Sequence, residues 1–178
     1  MQLKAEIMDT SAVRRSIARI AHEIVERNHG TENLVLLGIK RRGLPIANMV
    51  AENILRFEDA RVPVGYIDIT LYRDDLSEVV QQAQATDSMI PEDINGKHVV
   101  LVDDVIYTGR TARAAIEHTF RCGRPAVISL AVLIDRGHRE LPIRPDYVGR
   151  NVPTSKSERV SVHMPEYDGD ICVKLYDM

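Results

Sequence analysis

Three short runs of almost purely apolar residues constrain the fold of this chain more than any other feature. They cover residues 34–39, 98–102 and 126–134. Runs of this length and composition are typical of strands that are buried on both faces, as in a parallel sheet. The segments around them have helical patterns: Ser11 to Asn28, Pro45 to Leu55 and about Thr111 to Cys122, the last of which is closed by Gly123. The alternation predicts an α/β fold with a mostly parallel central sheet flanked by helices.

Weaker patterns complete the outline of the fold. Val62 to Tyr72 alternates in part and is predicted to be a strand, and either Thr10 or Ser11 is expected to cap the first helix. The segment 135–178 is richer in proline and charge, and it contains two short strand candidates, Arg159 to His163 and Ile171 to Tyr176. We therefore expect a single domain over 1–178. Its core spans about 1–134, and a small C-terminal hood spans about 135–178, to which the N-terminus can contribute.

Composition narrows the class of protein. With 178 residues, 44% of them hydrophobic and 28% charged, the chain can bury one core. Its net charge of -3 excludes a general cationic DNA coat, so any nucleic-acid contact must be a local patch. There are two cysteines, no charged and apolar leader follows Met1, and no apolar run approaches the roughly 20 residues of a membrane span. We expect a soluble, cytoplasmic protein.

The segment from Arg73 to Asn95 breaks the pattern of strands and helices. It has almost no periodic apolar signal, and Arg73 is accompanied by six acidic residues. Long polar stretches inside compact domains are usually functional or mobile. A lid over a binding site and a disordered surface insertion explain these residues equally well.

The segment Val99 to Thr111 carries the strongest chemical signal. A buried strand leads to two acids, Asp103 and Asp104, and then to a small polar turn that opens a helix. Ligands of open α/β sheets bind at this edge. Adjacent carboxylates need hydroxyl donors or a cation, and the turn from Thr108 to Thr111 offers hydroxyls and backbone N–H groups at a helix N-terminus. An acid pair beside a phosphate cradle describes a binder of ribose 5-phosphate.

Three other interpretations of this segment are weaker. A receiver domain also ends a strand in paired acids, but that strand is the first of its fold, whereas here the pair lies beyond residue 100. A P-loop needs a Gly-x-x-x-x-Gly-Lys-Ser/Thr pattern, which is absent from the chain. Acids that only cap a helix would leave the composition of the turn unexplained.

At these residues the chain closely resembles the type I phosphoribosyltransferases, which bind 5-phosphoribosyl-1-diphosphate (PRPP). The resemblance implies that Asp103 and Asp104 hold the ribose hydroxyls and act with Arg73, which leads a mobile catalytic loop. It also implies a diphosphate loop at Gly38 to Gly43 and a Mg²⁺ ion held by PRPP and water rather than directly by side chains. The substrate-binding residues implied in this way are Lys40, Arg41, Asp103, Asp104, Thr108, Gly109, Arg110, Thr111, Arg136 and Val160, the last through its backbone.

Three further segments narrow the resemblance within that family. Residues 70–76, 135–142 and 151–158 look like those of the pyrimidine-operon attenuation regulators, and the similarity runs essentially from Lys4 to Tyr176. The implied activities are the conversion of uracil and PRPP to UMP and diphosphate, and uridine-nucleotide-dependent binding of the leader mRNA, with UMP or UTP as the effector. The resemblance also implies a homo-oligomer, either a dimer or a tetramer.

The first helix is the candidate RNA-binding element. Arg15, Arg19 and His22 share the face opposite the apolar stripe Val13, Ile17, Ile20 and Ile24. On spacing alone this is an ordinary solvated face, but the resemblance favours an RNA contact that also involves Arg27, His138, Arg139, Arg144 and Arg150. With six tyrosines, two phenylalanines and no tryptophan, the chain does not favour recognition by many aromatic platforms.

Two other functions remain open on the sequence. One is a phosphoribosyltransferase for a purine or orotate, with an ordinary exposed basic helix. The other is a catalytically silent RNA binder that only senses a nucleotide. Base choice tests the first, and release of diphosphate tests the second.

Overall fold

The computed structural model describes residues 1–69 and 88–178. Its eight strands are β1 (Gln2–Met8), β2 (Leu34–Ile39), β3 (Val64–Ile67), β4 (His98–Ile106), β5 (Val127–Asp135), β6 (Tyr147–Asn151), β7 (Glu158–His163) and β8 (Cys172–Asp177). Its four helices are α1 (Thr10–Arg27), α2 (Gly43–Glu58), α3 (Arg110–Cys122) and α4 (Pro165–Asp168).

The larger of two sheets has five strands in the order β3-β2-β4-β5-β6. Every described pairing within it is parallel. All six residues of β2 are buried, because β2 has strands on both sides and apolar packing on both faces. The prediction of an α/β fold with a parallel central sheet is confirmed.

Two apolar layers cover this sheet. One contains the buried stripes of α1 and α2, including Val13, Ile17, Ile20 and Ile24, packed against alternate residues of the central strands. The other contains the small buried residues of α3, such as Ala112 and Ala115, against Val99 and Leu101 of β4. Alternate side chains of each strand therefore pack in different apolar layers, since successive side chains point to opposite sides of a sheet.

The smaller sheet is antiparallel, in the order β1-β8-β7. The N-terminus supplies β1, which pairs with β8 from Gln2 opposite Asp177 to Met8 opposite Val173. In contrast, β6 lies within the segment assigned to the hood but is an edge strand of the large sheet, where Ala131 pairs with Tyr147. Its sequence, Tyr-Val-Gly-Arg-Asn, carries too little apolar signal to reveal this pairing.

Some boundaries differ from the sequence predictions. The cap of α1 is Asp9, whose carboxylate accepts from the Ala12 amide at 2.7 Å, whereas the Thr10 hydroxyl donates to the Ile171 carbonyl at 2.8 Å. Strand β3 ends at Ile67 rather than Tyr72. Strand β4 continues through both acids to Ile106, because its pairing with β5 continues that far. Among the described residues, no helix has the length and apolar character needed to cross a membrane.

Candidate active site

A cavity of about 780 Å³ opens at the carboxyl ends of β2 and β4. This is a volume typical of small-molecule sites. The cavity brings together most of the substrate-binding residues predicted from the sequence: Lys40, Arg41, Asp103, Asp104, Thr108, Gly109, Thr111, Arg136 and Val160. These residues come from the β2–α2 loop, β4, the start of α3 and the hood, so the site is assembled from four separate parts of the chain.

Two glycines allow the β2–α2 loop to lie directly against the central strand. A Cβ atom on Gly43 would lie 2.2 Å from the Val102 carbonyl oxygen, and one on Gly38 would lie 2.4 Å from the Leu44 Cα. Real side chains do not approach backbone atoms this closely. The absence of side chains at Gly38 and Gly43 therefore places the cationic loop next to Asp103.

The acid pair is held by local hydrogen bonds. Asp103 Oδ1 accepts from the Asp104 amide at 2.9 Å, and Asp104 Oδ1 accepts from the Val105 amide at 2.8 Å. Loss of hydration raises the pKa of Asp104, against the opposing effects of hydrogen bonds and of the Arg42 charge. Hydroxyl donors or a cation in the cavity would therefore stabilise the ionised pair.

The turn after β4 has the form of an anion site. Gly109 caps α3 in a left-handed conformation, with φ of 93°, and the Thr108 hydroxyl accepts from the Arg110 amide at 3.3 Å. The first amides of α3 and the hydroxyls of Thr108 and Thr111 meet at the positive end of the helix. The Arg110 guanidinium does not line the cavity, since its Nε donates to Glu140 at 2.9 Å.

The hood closes the other side of the cavity. Arg136 is buried, and its guanidinium donates to the Glu158 carbonyl at 2.7 Å while lying 4.1 Å from the centre of the Tyr107 ring. Val160 is a buried residue of β7. The Tyr107 ring, which follows β4, lies against the Arg136 cation of the hood, and β7 adds the backbone of a buried strand, a setting suited to a planar base.

The two remaining cationic residues that were predicted to bind substrate, Lys40 and Arg41, lie on the predicted diphosphate loop. The Lys40 ammonium is 4.1 Å from the centre of the Tyr66 ring and 3.9 Å from Asp68. Arg41 is exposed at the rim of the cavity. Arg73 and the rest of the predicted lid (Arg73 to Asn95) up to residue 87 lie outside the described residues.

Four cavity residues with polar side chains were missed by the sequence analysis: Arg42, Tyr107, Lys156 and Arg159. Arg42 and Tyr107 lie inside the two quoted motifs, so reading each position of those motifs would have found them. No local sequence pattern predicts that Lys156 and Arg159 line the cavity, because only the antiparallel pairing of the hood brings their segment over the large sheet.

The predicted RNA-binding residues of α1 are all exposed, and two of them, Arg19 and Arg27, lie beside β6. The Arg19 guanidinium donates to the Val148 and Gly149 carbonyls at 3.0 and 2.6 Å. Arg27 is 3.3 Å from Asp146. Arg15 is exposed and bonds only locally, to Ser11 at 2.5 Å. His22 stacks on Phe57 with ring centroids 3.8 Å apart.

The hood residues of the same prediction lie in β6, close to it, or beside Tyr107 in the turn after β4. Arg139 and Arg144 line a shallow concavity of about 390 Å³ together with Val148 of β6. Arg150 is exposed on β6 and donates to the Ile7 carbonyl at 2.7 Å, and the His138 ring bonds to the Thr154 carbonyl at 2.5 Å. We call the surface formed by Arg15, Arg19, His22, Arg27, His138, Arg139, Arg144 and Arg150 the basic face.

The parallel sheet, the acid pair on its central strand and the phosphate-type turn define a phosphoribosyltransferase of the type I class. A family model described as the phosphoribosyl transferase domain matches residues 4–166. The bifunctional protein PyrR of Clostridium novyi is 55% identical over 177 residues, with 99% of each chain covered. That of Acetivibrio thermocellus is 59% identical over 175 residues, covering 98% of this chain and 95% of the relative. The chain belongs to the phosphoribosyltransferase family and, within it, to the PyrR proteins.

The fold of this chain is similar to that of solved phosphoribosyltransferase structures. A hypoxanthine phosphoribosyltransferase from Trypanosoma cruzi is similar with a TM-score of 0.75 at 19% identity, covering 98% of this chain and 97% of that one. A hypoxanthine-guanine phosphoribosyltransferase from Bacillus anthracis is similar with a TM-score of 0.72, also at 19% identity, and each chain is covered to 98%. At this level of identity the likeness shows the fold alone.

Proposed function

We propose that the chain transfers the phosphoribosyl group of PRPP to uracil, which gives UMP and diphosphate, and that it also binds pyrimidine-operon leader mRNA under the control of UMP or UTP. The observation that carries the proposal is the acid pair Asp103 and Asp104, which lies in one cavity between a cationic loop and a phosphate-type turn. Relatives named bifunctional protein PyrR at 55% and 59% identity support both activities.

We assign a part of the substrate to each wall of the cavity. Asp103 and Asp104 accept hydrogen bonds from the ribose hydroxyls, and the amides of the Gly109 turn bind the 5-phosphate. The loop at Lys40 to Arg42 binds the diphosphate and stabilises its negative charge as it leaves. Uracil then lies on the hood side, between Tyr107 and the β7 backbone at Val160.

Direct displacement at the anomeric carbon is the proposed chemistry. The hydroxyls of Thr108 and Thr111 belong to the phosphate turn, where they bind the anion and do not act as nucleophiles. A positively charged anomeric carbon is stabilised by the nearby carboxylates, so no covalent intermediate with the protein is needed.

The donor set of the cavity fits Mg²⁺ bound through its water. Among the described residues that line the cavity, the carboxylates are those of Asp103 and Asp104, too few for a protein cage. These two residues would accept hydrogen bonds from waters on an ion that is held mainly by PRPP oxygens. When bound, the ion supplies positive charge that offsets the charge of the diphosphate.

Product formation with PRPP, magnesium and one nucleobase at a time tests the enzyme. We expect UMP from uracil and no nucleotide from hypoxanthine, guanine or orotate. A nucleotide from one of the other bases would favour the alternative phosphoribosyltransferase. Binding of UMP without any product would favour the silent sensor.

Filter binding of a leader RNA from a pyrimidine gene cluster tests the regulator. Arg15→Ala is the sharpest variant, since Arg15 is exposed and, within the described ranges 1–69 and 88–178, bonds only to its own helix. Loss of one phosphate contact is expected to weaken binding and to reduce the salt slope by about 1. Arg113→Ala is the matched control, because Arg113 is an exposed arginine on α3, which packs on the face of the large sheet opposite α1. Equal RNA affinity of both variants and the parent would remove α1 from the interface.

The proposed assembly is a homo-oligomer with two-fold symmetry, as the PyrR resemblance implies. Sedimentation at micromolar concentration should show a dimer or a tetramer. A lone 20.0 kDa species would contradict this proposal.

A further inference from the structure

The short hood helix α4 reaches across to the β2–α2 loop of the active site. Asp168, the last residue of α4, accepts a bidentate pair of hydrogen bonds from Arg42, with Nη2 to Oδ1 at 2.9 Å and Nε to Oδ2 at 3.4 Å. The two residues are 126 positions apart in the chain. Their side chains are only 33% and 19% exposed, for Arg42 and Asp168 respectively. Bidentate geometry restrains the plane of an arginine as well as its position.

Asp168 is itself held in place. Its Oδ2 also accepts from the Met164 amide at 2.9 Å, which closes the turn before α4. Burial alone would raise the pKa of Asp168, but the hydrogen bonds from Met164 and Arg42 and the Arg42 charge lower it, so the carboxylate stays ionised. The neighbouring Tyr167 hydroxyl donates to the Arg41 carbonyl at 3.5 Å, so α4 contacts the loop at two points.

Arg42 connects this turn to the reacting part of the cavity. It lines the same cavity as Asp103 and Asp104, and its charge opposes the rise in the pKa of Asp104 that burial causes. As the residue that precedes the first turn of α2, Arg42 makes no side-chain capping bond there. Arg42 uses Nε and Nη2 to bind Asp168. Its third nitrogen, Nη1, takes no part in this ion pair and is directed away from Asp168.

We propose that Asp168 is a positioning residue that orients Arg42 toward the diphosphate of PRPP. A long arginine side chain that is already ordered binds its ligand without the entropy loss of ordering it first. The hood thus contributes to recognition of the leaving group as well as covering the base. The inference rests on the proposed phosphoribosyl transfer, because that reaction places a diphosphate at the β2–α2 loop.

Calorimetric titration of Asp168→Asn with diphosphate, PRPP and UMP tests the proposal. We expect diphosphate and PRPP to bind about tenfold more weakly, which corresponds to losing one charge-assisted interaction. UMP has no diphosphate, so its affinity is expected to stay within about twofold. In steady-state kinetics the KM for PRPP rises and the KM for uracil does not. Asp168→Glu keeps the charge and is expected to recover part of the loss.

Two comparisons separate a positioning role of Asp168 from a general weakening of the segment β7–α4–β8. Asp170→Asn removes a carboxylate two residues away that pairs with His163 at 3.1 Å and Lys174 at 3.5 Å rather than with the loop. This control is expected to bind diphosphate as the parent does. In an Arg42→Gln background, Asp168→Asn should have little further effect, since the residue it positions is already gone.

Several outcomes would overturn the inference. They are equal losses for UMP and diphosphate, unchanged diphosphate binding in Asp168→Asn, full additivity with Arg42→Gln, or a parent chain that does not bind diphosphate. A parent that binds diphosphate but forms no UMP would overturn the proposed reaction instead, and the calorimetric comparison would still decide the role of Asp168.

Discussion

The guanidinium of Arg139 donates to the backbone carbonyl of Tyr107 at 2.8 Å and to the Asp135 carboxylate at 2.6 Å. Beside it, the amides of Glu140 and Leu141 donate to the Thr108 carbonyl at 2.9 and 3.1 Å. A residue of the basic face thus supports the turn of the active site. If Arg139 binds RNA as proposed, this short loop connects the RNA contact to the nucleotide site.

Arg139→Ala is expected to weaken UMP binding as well as RNA binding. The change removes the guanidinium donor of the Tyr107 carbonyl and of Asp135 Oδ2, a loss of about 1 to 3 kcal/mol. Arg144→Ala is the matched variant, because Arg144 is exposed on the same concavity but is expected to affect RNA alone. Calorimetry with UMP and filter binding with leader RNA separate the two effects. Parental UMP affinity in Arg139→Ala would contradict the link.

Asp103→Asn and Asp104→Asn are each expected to weaken UMP and PRPP binding while the fold stays intact. Each change removes a charge-assisted hydrogen bond to ribose, worth roughly 1.5 to 3 kcal/mol. Calorimetry measures the affinity, and thermal unfolding without ligand serves as the control for folding. If both variants bind UMP as tightly as the parent, the acid pair does not hold the ribose.

Gly43→Ala is expected to destabilise the protein and to weaken PRPP binding together. The new methyl group would meet the Val102 carbonyl at 2.2 Å, so the start of α2 must move away from β4. Overpacking of this kind costs about 1 to 3 kcal/mol. Gly96→Asn is the control, since nothing lies within 4 Å there and asparagine tolerates its positive φ. Denaturant unfolding of both variants measures the difference, and equal stability would contradict the close approach.

Stability is expected to fall as the pH drops below about 6.5 because of His98. Burial lowers the pKa of His98, whose ring nitrogens bond to Asn28 and Ser129, each at 2.8 Å. At a pH between the pKa values of His98 in the folded and the unfolded chain, the unfolded chain binds more protons than the folded chain. Unfolding is therefore favoured as the pH falls.

Denaturant unfolding of the parent and His98→Gln at pH 7.5 and pH 5.5 measures the His98 contribution. The variant should be less stable at the higher pH and should lose less stability on acidification. His29→Asn, which replaces an exposed histidine, is the comparison variant. An identical pH dependence in His98→Gln would show that His98 does not contribute.

The sequence by itself determined the parallel sheet, the buried face of α1 and the acid pair with its phosphate turn. Each of these is a local pattern: a continuous apolar run, a helical spacing such as Val13 to Ile24, or thirteen consecutive residues around Asp103. Period and composition are encoded over one strand or one helix, so they can be read without knowing what the segment packs against.

Only the tertiary structure decided which distant residues meet. The pair of Arg42 and Asp168, the turning of the Arg110 guanidinium toward Glu140, and the place of β6 in the large sheet all join segments far apart in the chain. Such contacts depend on strand pairing and on how the hood folds back over the large sheet. No local pattern encodes them, because the free energy of each comes from burial and geometry that exist only after the chain has closed.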